Sequence, residues 1–318
     1  MTTYKEIFGK YVKNYSSDPT SDIEGQVWYN STTGVFKTNL AGAAAWAAGG
    51  NMGTARRNLA GAGTQTAGLG FGGETTVVVA DTEEYDGSAW TAGGNMATAR
   101  IVLGGCGLQT AGLGFGGETT VDVANTEEYD GSAWTGGGNL GTARRQLAGA
   151  GTQTAGLGFG GYTTTSLTNT EEYNGSAWTS GGNLGTARFA LGGCGTQTAG
   201  LAFGGSPGPL ANTEEYDGSA WTGGGNLNTA RNAIRGAGTQ TAGLAFGGYT
   251  GTANTNATEE YNGTSWTAST ALTTAVRSGA GAGTQTAGLS FGGFTTVNTA
   301  ATEEYSDPSF STKTITTS

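Results

Sequence analysis

Glu83 and Glu84 form one of six Glu-Glu pairs in this 318-residue chain, and a tyrosine follows each pair, at Tyr85, Tyr129, Tyr173, Tyr216, Tyr261 and Tyr305. Paired carboxylates are what acid–base catalysis and hard-cation binding require. Six identical pairs at a regular interval argue instead for a structural task. On an extended strand, successive side chains point to opposite faces, so the two carboxylates of a pair do not converge on one reacting atom. The repeated arginine at 56, 100, 144, 188 and 231 is the expected ion-pair partner, with Arg277 read as a displaced sixth copy.

Other chemistry is thinly supplied. The chain has no histidine, which removes the commonest general base and metal ligand. Cys106 and Cys194 occupy equivalent places in the second and fourth repeats and read as small buried fillers where other repeats carry Ala. No disulfide, metal site or cofactor is expected. The run Gly68-Leu69-Gly70-Phe71-Gly72-Gly73 has the glycine spacing of a dinucleotide site, but it lies on a strand with no following helix to hold a phosphate. Asp86-Gly87-Ser88-Ala89-Trp90 resembles the Asp-box of sialidase propellers, with the wrong spacing and without that family's arginine cluster. Glutamines at 65, 109, 153, 197, 240 and 285 sit in repeated turns, where a ring of amides would suit a glycan or simply face solvent.

The elements that carry these residues follow from the repeat. Trp recurs at 46, 90, 134, 178, 221 and 266, and Phe-Gly-Gly begins at 71, 115, 159, 203, 246 and 291, with a dominant period of 44. In the unit that starts at Arg56, period-2 alternation predicts strands over 58–63 and 67–72. A loop follows over 74–81, and further strands are predicted over 82–85 and 89–91. Asp86-Gly87 reads as the type I′ turn of a hairpin, in which both central residues take positive φ.

A double glycine closing the second strand, a tyrosine in the third and a tryptophan in the fourth resembles a kelch repeat. The resemblance covers residues 46–310 and implies an all-β, six-bladed kelch-like β-propeller with four antiparallel strands per blade. The kelch propellers that act as copper oxidases need histidine, so that activity is not expected here. Either Trp46 or Phe310, which sits in the tryptophan register, can supply the last strand of the final blade. Trp46 is favoured because its link to Arg56 is intact. Leu, Ile, Val and Phe are only 45 of 318 residues, so Trp, Tyr and Phe between blades and glycine near the axis must provide the packing.

Residues 1–45 form a separate segment, and 311–318 a C-terminal tail. The string Gly25-Gln26-Val27-Trp28-Tyr29-Asn30-Ser31-Thr32-Thr33-Gly34-Val35-Phe36-Lys37 reads as a β-hairpin. It resembles a segment of bacteriophage tail and fibre proteins, marine phages especially, which implies a docking or attachment role in a virion. The net charge of −10 and pI near 4.5 argue against nucleic acid. No apolar run has membrane-span length, and the first residues lack a signal-peptide core.

The expected function is therefore non-catalytic: a phage tail or fibre component, folded in a bacterial cytoplasm. It would attach to a host glycan or receptor, to other tail proteins or to further copies of itself. The alternative is a cytoplasmic kelch-like module that binds glycan or protein. The binding face is read from variation. Most of the repeat is constant, but the loop after each double glycine differs, which is how many binding proteins are built. Its first residues, Glu74, Glu118, Tyr162, Ser206, Tyr249 and Phe294, are the candidate contacts. The three aromatics among them suit stacking on sugar or anchoring a protein.

Overall fold

A computed structural model describes residues 12–17, 26–40, 43–307 and 311–315. Among these, the regular structure is entirely β, with no helix. The chain divides into two compact units, Met1–Ala44 with Asp307–Ser318, and Ala45–Ser306.

In the smaller unit, Val27–Asn30 and Val35–Leu40 form the expected hairpin. Its turn is fixed by the Asn30 side chain, whose Oδ1 accepts from the amides of Thr32 and Thr33, and by Gly34 at φ +71°, a region that favours glycine. Lys13–Tyr15 joins one edge in parallel, and Ser311–Thr314 joins the other antiparallel. The segment read as a tail thus contributes a strand to this sheet. Trp28 is fully buried. Phe310, the alternative closing residue, lies outside the described residues.

Ala45–Ser306 contains repeated four-stranded antiparallel sheets, a β-propeller-like repeat fold. The sheet after Arg56 comprises Ala60–Thr64, Ala67–Phe71, Thr82–Tyr85 and Trp90–Ala92. The first strand starts two residues later than its sequence pattern implies, because residue 58 is drawn out of extended geometry. The last sheet takes its fourth strand from the beginning of the unit: Ala45–Ala48 pairs with Thr302–Ser306, with Trp46 opposite Tyr305. Asp86-Gly87 is not a type I′ turn, since only Gly87 has positive φ. The loop has four residues, and Oδ1 of Asp86 organises it by accepting from Ser88 N, Ser88 Oγ and Ala89 N. These bonds hold the exposed Asp86 carboxyl below its usual pKa.

Packing between sheets follows the repeat. Phe71 of one sheet and Trp134 of the next have ring centroids 4.8 Å apart, and Trp134 lies 5.0 Å from Tyr129 on its own sheet. All six tryptophans of the repeats lie on the outermost strands; Trp46, Trp134, Trp221 and Trp266 are buried, and Trp90 and Trp178 partly so. First strands of neighbouring sheets approach so closely that a Cβ on Gly149 would lie 2.6 Å from the carbonyl oxygen of Gly105. Only glycine permits that approach.

The glutamate pairs are consumed by this packing. Arg56, Arg100, Arg144, Arg188 and Arg231 are completely buried. Each meets the first glutamate of a pair at 3.0–3.1 Å. Burial pushes the guanidinium pKa of Arg100, Arg188 and Arg231 down to about 10, opposed by the facing glutamate. The second glutamate faces the neighbouring sheet: Tyr129 Oη donates to Glu84 at 2.5 Å, and Tyr173 Oη to Glu128 at 2.5 Å. Arg277 is not the sixth buried arginine. Val276 takes that position, and Arg235 of the preceding repeat supplies the guanidinium, donating to Ser290 Oγ and to the carbonyl of Gly292.

Candidate functional site

The residue two places after each buried repeat arginine, and after Val276 in the sixth repeat, has left-handed backbone geometry although it is not glycine. These are Asn58, Val102, Gln146, Ala190, Ala233 and Ser278, with φ between +47° and +57°. Such geometry costs about 1–3 kcal/mol per residue and persists only where surrounding structure imposes it. The β-branched Val102 is the least suited. The imposing structure is a chain of backbone hydrogen bonds. Val102 N–H donates to the Asn58 carbonyl, Gln146 to Val102, Ala190 to Gln146, Ala233 to Ala190 and Ser278 to Ala233, at 2.7–3.1 Å. Asn58 N–H then donates to Ser278 at 2.6 Å, so the sixth bond returns to the starting residue.

Below this cycle, Leu59, Leu103, Leu147, Leu191 and Ile234 narrow the space to about 100 Å³. Above it opens a mouth of about 450 Å³. Its wall includes residues directly after the repeated arginine, here Arg57, Phe189, Asn232 and Arg277, together with loop residues Ser206 and Phe294. Each candidate loop residue bridges to one of the former set: Glu74 to Arg57, Glu118 to Ile101, Tyr162 to Arg145, Ser206 to Phe189, Tyr249 to Asn232 and Phe294 to Arg277. The six positions named from sequence are therefore equivalent and rim one opening, but only Ser206 and Phe294 line the cavity itself.

The aromatic rim residues are not bare platforms. Arg145 stands 5.1 Å from the centroid of Tyr162, Arg277 4.7 Å from Tyr249, and Arg57 4.8 Å from Phe294. The loops are tied down as well: Asn298 Nδ2 donates to the carbonyls of Glu74 and Thr75, and Asn254 Nδ2 to those of Phe294 and Thr295.

The turn glutamines do not offer amide donors to a glycan. Gln65 Nε2 donates to the carbonyls of Gly288 and Tyr305, and Gln109 to those of Gly68 and Tyr85, so each fastens one sheet to its neighbour. Cys106 and Cys194 are buried free thiols, their pKa pushed up to about 12 by burial. Among the described residues, no cluster of three metal-ligating side chains occurs.

Sequence reasoning missed Arg57, Asn58, Gln146, Asn232 and Arg277 as site residues. The signal was available: the two positions after the constant arginine vary from unit to unit as the loops do. A scan against protein-family models finds no match, and a search of curated proteins finds no similar sequence.

Proposed function

We propose that this chain is a non-catalytic binding protein of a phage virion, a tail or fibre component that meets a host surface or another tail protein through the mouth-bearing face. The observation that carries this reading is the 450 Å³ mouth, built from the positions at which an otherwise constant repeat varies. The finer fold reading is a closed, six-bladed kelch-type propeller. The cycle of six backbone bonds supports it, as does the strand from Ala45–Ala48 completing the sheet of Thr302–Ser306.

The virion reading draws on the Gly25–Lys37 string and on its placement in a compact unit separate from the repeats. In this reading that unit docks to the particle, the repeats face outward, and the candidate contacts act as rim rather than as acid–base groups. Two measurements test it. Antibody raised against the chain labels intact phage particles if the chain is a virion component, and unlabelled particles overturn that half. Purified protein binds host cells, or other tail proteins, and Asn232→Trp, which fills the mouth, abolishes the binding. Undiminished binding by a folded Asn232→Trp variant overturns the choice of face.

A further inference from the structure

We propose that the mouth takes the carboxylate-bearing sugar of an acidic glycan and that Arg277 anchors the carboxylate. This rests on the mouth being the binding face.

Charge is unevenly distributed round the rim. Arg57 is neutralised by Glu74 at 2.5 Å. Arg145 is neutralised by Asp122 at 2.8 Å, with Glu118 at 3.6 Å. The opposite arc, from Phe189 and Ser206 through Asn232 and Tyr249 to Phe294, carries no carboxylate. Its one charged member is Arg277, which forms no ion pair among the described residues. Its guanidinium instead lies over two rings, 4.7 Å from the centroid of Tyr249 and 5.2 Å from that of Phe294. Stacking occupies the faces of a guanidinium and leaves its in-plane N–H fork free, the part that pairs with a carboxylate. A chain of net charge −10 thus exposes an uncompensated cation to this mouth.

The remaining wall favours a sugar over an acidic peptide. Beside Arg57, Phe189 and Phe294, it is lined by the neutral amides and hydroxyls of Asn58, Gln146, Ser206, Asn232 and Ser278, of which Asn58 already donates to Glu74 and Asn232 to Ser206. They match a ring bearing several hydroxyl groups, not a row of charges. The volume of about 450 Å³ falls within the range of small-molecule sites, and beneath it the ring of Leu59, Leu103, Leu147, Leu191 and Ile234 narrows the space to about 100 Å³. Such a chamber receives a terminal or protruding residue. An extended peptide needs a free strand edge or a long groove.

The test titrates the full chain with sodium glucuronate, with glucose and with poly-glutamate at low salt, followed by saturation-transfer NMR. Glucuronate is expected to bind at least tenfold more tightly than glucose, and poly-glutamate not to compete. Arg277→Gln should lose at least tenfold in glucuronate affinity with its melting temperature kept, whereas Arg277→Lys should retain part of it. Equal binding of glucose and glucuronate, an unaffected Arg277→Gln variant, or displacement by poly-glutamate would each overturn the proposal. If host cells bind the chain through the mouth while glucuronate does not, the ligand class is wrong and the face is right. If Asn232→Trp leaves cell binding intact, the face itself is wrong.

Discussion

A Cβ placed on Gly279 would lie 1.9 Å from Nη2 of Arg235. The two residues depart from the repeat together, and Val276 departs with them. Where the first repeat has Arg56, Leu59 and Ala60, the fifth and sixth offer Val276, Gly279 and Arg235 at the matching places. The buried arginine is thereby delivered from the neighbouring strand. It reaches Gly292 O as Arg56 reaches Gly72 O, at 2.7 and 3.2 Å. Burial holds its pKa down to about 9, opposed by Glu303.

Gly279→Leu alone should therefore destabilise by about 1–3 kcal/mol through overpacking. Arg235→Ala alone should cost about 1–3 kcal/mol, because the buried Ser290 hydroxyl and Gly292 carbonyl lose their donor. The triple variant Arg235→Ala/Val276→Arg/Gly279→Leu restores the pattern of the other repeats and should recover most of the loss. Denaturant melts of the three variants measure this; additive losses in the triple variant would refute the exchange.

Tyr129→Phe removes the hydroxyl that donates to Glu84 across two sheets. A hydrogen bond to a buried or half-buried charged group contributes about 1.5–3 kcal/mol, so the variant should lose about that much. A change below about 0.5 kcal/mol in chemical denaturation would show that the sheets are joined without it.

Trp134→Ala should cost about 3–5 kcal/mol, the range for an aromatic removed from a core. Its ring is buried against Phe71 and Tyr129, and its Nε1 donates to Thr82 Oγ1 at 2.9 Å. Trp90→Ala, which removes the equivalent contacts to Tyr85, Phe291 and Thr302, should cost a similar amount, and the same melts compare the two.

Alkaline titration should expose the tyrosine layer. Burial, together with donation to a glutamate, raises the phenols of Tyr85, Tyr129, Tyr173, Tyr216 and Tyr261 from 10 to about 12. A folded-state pKa above the unfolded value means that the native state keeps its protons longer. The stability these groups contribute is thus full below pH 10 and is lost as pH rises toward 12. Phenolate absorbance should lag behind that of the unfolded chain across this window, and melting temperature should fall through it. Ionisation of all tyrosines near pH 10 without loss of structure would contradict the assignment.

Much of the architecture was legible because a repeat samples the same physics six times. The 44-residue period, the glycine alternation and the tandem Trp, Tyr and Phe positions marked strands of a fold in which each sheet packs on copies of itself. Sequence also pointed to structural glutamates, since a strand sends adjacent side chains to opposite faces, and Glu83 and Glu84 do serve different neighbours. It could not show which arginine replaces a missing one, because Arg235 and Val276 are 41 positions apart and meet only when two strands lie side by side. Nor could it foresee that Asn58, Gln146 and Ser278 adopt positive φ, a geometry imposed by a cycle of bonds between distant residues rather than by local preference. The glutamine turns were misread for the same reason: an amide's partner is decided by what the neighbouring sheet presents. Chemistry set by chain-local pattern was readable in the sequence, while the mouth exists only where seven separate stretches of chain converge.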